Sequence, residues 1–320
     1  MCVNPHFLFD RLAGETMDVL SDVIAVTRTG EPRSARVVWT APWGQWFAPV
    51  PGAAGFQVVL HGTCWLIRAG AEPLPLSTGD VVFLPHGHGH ALADSPATEI
   101  DAEACDPDDP AFAERHVNLP GPGTGPRTVT LCGAYRLDPA RAHPLLSSLP
   151  EVVHLPARLG HDIRAAVELL NAELEHPRLG TGSLIPALLD TLLLYILRAW
   201  FDEQPSQAET GWAAALKDPS VAAALQAIHG DPGHPWTVAA LAARAGLSRA
   251  PFARRFAVKV GRPPLAYLTW WRMTLAARLL RDTGEPLSVI AAKSGYTSEF
   301  AFATAFKRQF GVPPGKHRRA

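Results

Sequence analysis

Two stretches of this chain repeat one another. "LAARAGLSRAPFARRFAVKVGRPP" begins at Leu241, and "IAAKSGYTSEFAFATAFKRQFGVPP" begins at Ile290. Leu241 and Gly246 match Ile290 and Gly295 at an offset of 49. Phe252, Phe256, Gly261 and Pro263-Pro264 match Phe302, Phe306, Gly311 and Pro313-Pro314 at an offset of 50, so the second copy carries one inserted residue. Agreement along the whole of both stretches is far harder to reach by chance than a lone short motif. It requires the C-terminal third to build the same unit twice.

Each copy has the physics of a helix-turn-helix. A short helix of apolar and alanine positions ends at Gly246 or Gly295, a residue suited to the left-handed turn. An apolar residue, Leu247 or Tyr296, plugs the angle, and Ser248 or Thr297 is placed to cap the second helix. In that helix phenylalanines four apart face inward. Its outer face carries Arg249, Arg254 and Arg255 in the first copy, and Ser298, Glu299, Thr304, Lys307 and Arg308 in the second. One such helix alone is ordinarily a solvated cationic surface. Two, each with turn, cap and outward polar face, suit the major groove of double-stranded DNA, where arginine donates two hydrogen bonds to guanine and lysine or arginine neutralises phosphates. "PPLAYLTWWRMTLAARLLRDTG" between them reads as one long helix that fixes their spacing, with the reading helices expected about 34 Å apart in successive groove turns.

The charge is divided accordingly. Residues 205–320 hold 16 Lys+Arg against 6 Asp+Glu, a balance of +10, while the whole chain carries -1. The remainder is thus strongly acidic, and only the C-terminal part is expected to meet a polyanion. With 320 residues, 47% of them hydrophobic, two domains are expected. The most apolar run, "LIPALLDTLLLYILRAW" (184–200), is interrupted by Pro186, Asp190 and Arg198, and reads as a buried or partner-facing helix and not a membrane span. The first twenty residues lack a charged n-region and an adequate apolar segment, so a cytoplasmic location is expected. Cys2, Cys64, Cys105 and Cys132 form no CxxC, which argues against a zinc ribbon or disulfide scaffold.

From Arg36 to Leu137 short apolar runs such as "FQVVLHG", "CWLIRAG" and "DVVFLP" are cut by Gly and Pro, which predicts strands of an all-β sandwich or barrel. Asp101 to Arg127, acidic and then Pro/Gly-rich, reads as a long loop. After Pro156 the spacing of Ile163, Val167 and Leu170 predicts a helix, followed by the Leu184–Trp200 helix. The pair, residues 161–176 and 184–200, offers a surplus apolar face for a homodimer. The expected organisation is a possible extension (1–16, with Met17 as an alternative start), a sensing and dimerisation domain (17–200), a polar linker (201–217), and an all-α domain (218–320) that opens with Asp218 at a helix N-cap and Pro219 at the first helical position.

Residues 220–319, and above all "SGYTSEFAFATAFKRQFGVPPGKHRR", resemble the DNA-binding domain of AraC-type bacterial transcription regulators. The resemblance implies that Ala250, Ala253 and Arg254 in copy one, and Glu299, Phe300 and Thr304 in copy two, lie against bases. Two alanines stand where longer side chains often occur, which leaves Arg254 the strong direct reader of the first helix. "LPLSTGDVVFLPHGHGHAL" (74–92) is similar to a motif of the cupin-like barrels many such regulators carry. It implies a fold of α+β class in two domains: a cupin-like β-barrel with a helix pair, then two helix-turn-helix units on a long helix. It also implies a small-molecule effector in place of a required cofactor, and contact with RNA polymerase. Metal-binding cupins need an earlier His-x-His and a downstream Glu, and the matching strand offers only His61, which argues against the alternative of a cupin metalloenzyme with an accessory nucleic-acid-binding domain. His61, His88, His90 and Trp65 are the candidate effector-pocket residues, with His90 matching the motif. His86, His88 and His90 alternate in "PHGHGH" and are the one candidate metal set. Cys64 and Cys132 read as buried apolar residues, although "CGAYRL" looks like a segment of oxidant-responsive regulators, which makes the two thiols candidate redox groups.

Overall fold

The computed structural model describes residues 19–27, 32–100, 105, 116–120, 124–136, 143–158, 160–204 and 210–319. The expected extension 1–16, the alternative start Met17 and Cys2 lie outside them. The chain forms two units. One comprises Arg28–Ala142 and Leu146–Gln204; the other gathers Met1–Thr27, His143–Leu145 and Pro205–Ala320.

The described residues of the first unit form ten strands: β1 (Arg33–Thr40), β2 (Gly44–Phe47), β3 (Ala53–His61), β4 (Thr63–Ile67), β5 (Leu74–Ser77), β6 (Val81–Leu84), β7 (His90–Ala93), β8 (His116–Pro120), β9 (Arg127–Arg136) and β10 (Val153–Leu155). They form a six-stranded sheet, β10-β6-β3-β9-β1-β8, and a four-stranded sheet, β2-β7-β4-β5. Strand side chains alternate between faces. Val59, Val82 and Leu84 of the larger sheet therefore meet Cys64, Leu66, Leu76 and Leu92 of the smaller one, with Trp43, in a common core. β8 falls inside the stretch read as a loop. It pairs in parallel with β1 from Ser34↔His116 to Val38↔Pro120, and its pairing to a distant strand left no local periodicity to read.

Outside the larger sheet, Phe56 and Tyr135 share a face with ring centroids 6.0 Å apart. Gly133 between them must lack a side chain, because a Cβ there would lie 2.3 Å from the Phe56 ring. Helices α3 (His161–Glu175) and α4 (Thr181–Glu203) follow the short α2 (Pro144–Ser147). Tyr135 donates its hydroxyl proton to the Leu189 carbonyl of α4. Arg36 of β1 donates to Asn171 Oδ1 at 2.9 Å and Glu175 Oε1 at 3.0 Å of α3. Among the described helices, α4 alone is long and apolar enough to cross a membrane by length and composition. Its Ile185, Leu189, Leu192, Leu193, Ile196 and Leu197 are buried against the rest of the protein.

The second unit is helical: α1 (Val19–Thr27), α5 (Gly211–Lys217), α6 (Pro219–Gly230), α7 (Val238–Arg244), α8 (Arg249–Val260), α9 (Pro264–Asp282), α10 (Leu287–Lys293), α11 (Glu299–Phe310) and α12 (Pro314–His317). α5 and the end of α4 occupy ends of the stretch read as a linker, whose residues 205–209 lie outside the described set. Asp218 caps α6, its Oδ1 accepting from the backbone N–H of Ser220 at 3.0 Å and Val221 at 3.2 Å. In the second repeat Met273, Ala276, Ala277 and Leu280 of α9 pack on Ile290, Ala291, Phe302 and Phe306. Fully burying each such phenylalanine stabilises by about 1.5–3 kcal/mol.

Candidate nucleic-acid interface and sensor interior

α7-α8 and α10-α11 are the two helix-turn-helix units. Both turns use a glycine at positive φ, Gly246 at 66° and Gly295 at 74°. Ser248 occupies the N-cap of α8 without a side-chain capping bond. In the second copy the N-cap is Ser298, whose side chain accepts from Ala301 N–H, and not Thr297. The inserted residue accounts for the difference: it lies in the turn itself, so Ser298 and not Thr297 is the counterpart of Ser248 at an offset of 50.

The phenylalanines lock the two helices in the same rotation. Phe252 and Phe256, like Phe302 and Phe306, are fully buried, with pair centroids 5.6 Å and 5.8 Å apart. The opposite faces are open. Ser248, Arg249, Ala250, Arg254 and Arg255 are exposed with Ala253 half-buried; in the second copy Thr297, Ser298, Glu299, Phe300, Thr304, Lys307 and Arg308 are all exposed. Phe300 is 82% exposed, an aromatic side chain held in water on an otherwise polar helix face. Thr304 donates back to the Phe300 carbonyl at 2.9 Å.

One of these arginines has a partner inside the protein. Arg255 Nε donates to Asp218 Oδ2 at 2.6 Å, and Lys259 Nζ stands 3.4 Å from the same oxygen. Burial draws the Asp218 carboxyl upward, but the Arg255 bond, the Val221 N–H and Lys259 outweigh it and hold it below the ordinary carboxylate value. Arg255 thus fastens α8 to the start of α6, while Arg249 and Arg254 project from the open face. Arg272 of α9, which the sequence reading did not single out, donates to the carbonyls of Pro232 at 2.6 Å and His234 at 2.7 Å. Its guanidinium lies against Gly295, where a Cβ would approach Nη2 to 2.7 Å. One side chain therefore braces the loop before the first helix-turn-helix and the turn of the second.

In the sensor unit, His90 of β7 is buried on the core side, stacked on Phe47 at 4.8 Å. Gln57 of β3, absent from the expected set, is buried too and donates from Nε2 to His90 Nε2 at 3.0 Å. Burial depresses the His90 pKa to about 4, against a small opposing pull from the His88 carbonyl, so its ring is neutral at pH 7. Gln57 Oε1 and Trp43 Nε1 are buried without a hydrogen-bond partner. The signal for Gln57 was a lone amide inside the apolar run "FQVVL". The other expected pocket residues lie elsewhere. Trp65 points away from the core that takes its neighbours Cys64 and Leu66, and His61 and His88 are exposed.

The alternating histidines do not all share a side: the His86 and His88 rings lie 5.8 Å apart, and His90 is turned away from them into the core. Residues 85–89 form a turn and irregular backbone, with Gly87 at φ 64°, so the two-residue alternation of a strand does not apply. His86 bonds the Leu149 carbonyl at 2.9 Å while His90 faces the core, and among the described residues no three His, Cys, Asp or Glu side chains converge to hold a metal. Burial pushes the thiols of Cys64 and Cys132 up to about 12, so both are protonated at neutral pH; Cys132 Sγ contacts the Ala35 carbonyl at 3.5 Å.

Comparison with known proteins agrees with this geometry. Residues 18–202 match the cupin family, and residues 241–320 match the helix-turn-helix domain family. A putative AraC-like transcription regulator of Streptomyces antibioticus is 36% identical over 307 residues, 95% of this chain and 99% of that one. The HTH-type transcriptional regulator MtrA of Neisseria gonorrhoeae is 29% identical, covering 95% of this chain and 98% of its own. The RCS-specific HTH-type transcriptional activator RclR of Escherichia coli is 30% identical over 88% of each chain. With its cupin-type N-terminal part and its paired helix-turn-helix units, the chain belongs to the AraC-type family of DNA-binding transcription regulators.

Proposed function

We propose that this regulator reads two successive blocks of one DNA site, α8 taking one and α11 the other, under control of a small molecule held between the sheets of its cupin unit. The observation that carries the reading is the matched rotation of the two helices: the same phenylalanine pair is buried in each, so equivalent faces are presented outward. In the first block Arg254 is the base reader, Ala250 and Ala253 contact thymine methyls, and Arg249 with Ser248 holds phosphate. In the second, Glu299, Phe300 and Thr304 face bases, with Thr297, Ser298, Lys307 and Arg308 at the backbone. The regulator works as a cytoplasmic homodimer through α3 and α4, where Leu169 of α3, Leu184 of α4 and Leu179 of the turn between them are exposed, and it meets RNA polymerase from the DNA it occupies. Its effector carries both a donor for Gln57 Oε1 and an acceptor for Trp43 Nε1, beside neutral His90. No catalytic step is part of this reading.

Selection from a random DNA pool with the full-length protein, repeated with Arg254→Ala at the same salt, tests it. An asymmetric site of two blocks about one helical turn apart is expected, one block relaxed by the substitution at a cost of about 1–3 kcal/mol. A single block, or two blocks unaffected by the substitution, would overturn it.

A further inference from the structure

The two reading helices present different chemistry at equivalent places. Phe302 and Phe306 are the buried side chains of α11. Phe300 and Thr304 lie two residues to either side of Phe302, about 200° round the helix from it, and so occupy the middle of the outward face. At the offset of 50 their counterparts in α8 are Ala250 and Arg254. The first helix therefore sets a guanidinium where the second sets a threonine, and a lone methyl group where the second sets an aromatic ring.

None of the three base-facing side chains of α11 can donate the pair of hydrogen bonds that selects guanine. The Glu299 carboxylate only accepts. Thr304 has one hydroxyl proton, and the Phe300 carbonyl holds it at 2.9 Å. Phe300 has no polar side-chain atom. It is 82% exposed, and among the described residues it is the one phenylalanine, tyrosine or tryptophan on the open surface. A ring kept in water by a helix whose Phe302 and Phe306 are fully buried has apolar area to lose to a partner. Lys307 and Arg308 are exposed on the same helix, cations that favour a polyanion over an apolar protein groove as that partner. On the major-groove edge of DNA the bases offer donors, acceptors and one apolar group, the C5-methyl of thymine.

We propose that Phe300 selects thymine in the second DNA block by packing on its C5-methyl group, with no hydrogen bond to that base. The two blocks then differ in kind: the first is chosen by donation from Arg254, the second by apolar contact. This rests on α11 reading DNA. Preference at the Phe300 position hangs on one methyl group, so uracil, which has the same hydrogen-bonding edge, is a poorer target there. An apolar contact also releases no counterions, so its loss lowers affinity without altering the salt dependence of binding.

Binding of the full-length protein to its selected site tests it, with each thymine of the second block replaced in turn by deoxyuridine. The second block is the one that Arg254→Ala leaves unrelaxed. At one position the wild type is expected to lose affinity by about threefold or more, the worth of one methyl group withdrawn from water. Phe300→Ala should bind the thymine and uracil sites equally, more weakly than the wild type binds thymine and with the same salt slope. Phe300→Leu, smaller but still apolar, should keep part of the difference. With cytosine at that position, 5-methylation should strengthen binding by the wild type and leave Phe300→Ala unaffected. The exposed ring makes Phe300→Ala a variant that folds, which its unfolding curve checks. A wild type indifferent to uracil at every thymine, or a Phe300→Ala protein as sensitive to uracil as the wild type, would overturn the assignment. So would undiminished affinity of Phe300→Ala for the thymine site, which would give the ring a protein partner instead. Selection of a single block by the wild type would overturn the two-block reading and this assignment with it, whereas a second block whose thymines tolerate uracil would overturn the assignment alone.

Discussion

Asp218 Oδ2 accepts a 2.6 Å hydrogen bond from Arg255 Nε while the same carboxylate's other oxygen caps α6. One buried side chain thus begins a helix and holds the reading helix α8 to it. Asp218→Ala is expected to lower the stability of the helical unit by about 2 kcal/mol, a lost N-cap plus a discounted ion pair with half-exposed Arg255. The pH dependence follows from the direction of its shift. Because the folded carboxyl lies below its unfolded value, this stabilisation is fully present above about pH 4 and is lost as pH falls through the folded pKa. Denaturant titrations at pH 7 and pH 3 check it: the wild type should lose more than the variant on acidification.

Arg254 and Arg255 are neighbours with different duties, so their alanine variants should separate. Arg254→Ala is expected to leave the unfolding midpoint unchanged within about 0.5 kcal/mol and to relax one DNA block. Arg255→Ala should lower stability and weaken binding without changing sequence preference. Parallel unfolding curves and DNA selections on the two variants provide the check; equal loss of preference in both would contradict the assignment of Arg255 to Asp218.

The repeat was legible because each copy is local: capping, turn glycine and the phenylalanine spacing all fall within a short stretch of chain. The one error there, Thr297 for Ser298, came from placing the inserted residue after the turn when it lies within it. Arg255 looked like one more cationic side chain because its partner is 37 residues away. The same holds for Arg272, whose acceptors are carbonyls no pattern displays, and for β8, whose ladder is supplied by β1. Trp65 was misplaced by treating aromatic residues as pocket lining without applying strand alternation, which puts Cys64 and Leu66 inward and Trp65 outward. Nothing local in α1 or around His143 marks them as parts of the helical unit, since that membership exists only once the chain has folded.

Gly246 and Gly295 both adopt the left-handed conformation, yet their surroundings differ. A Cβ at Gly246 meets nothing within 4 Å, whereas at Gly295 it would lie 2.8 Å from the Gly233 carbonyl and 2.7 Å from Arg272. Gly246→Ala is therefore expected to cost about 1–2 kcal/mol, the backbone strain alone. Gly295→Ala must also displace a backbone carbonyl, and is expected to cost at least about 1 kcal/mol more. Denaturant unfolding of the two variants gives the comparison directly, and equal losses would mean that the Arg272 brace yields without cost.

His90 sets the acid limit of the cupin unit. Its folded pKa of about 4 lies below the unfolded value of about 6.5, so the neutral ring is favoured in the native state. The sign follows: the contribution is fully present above pH 6.5 and is lost as pH falls from 6.5 toward 4, where the unfolded chain binds a proton the native one refuses. The loss over that window is on the order of 3 kcal/mol. His90→Gln, which retains hydrogen-bonding capacity toward Gln57 but carries no titratable ring, should flatten the stability of this unit between pH 7 and 4.5. Hydrogen exchange of β3 and β7 at the two pH values reads the cupin unit separately from the helical one, where buried His143 titrates in the same direction. An acid limb in these strands that survives the substitution undiminished would show that His90 is not the buried neutral ring its contacts with Gln57 and Phe47 describe.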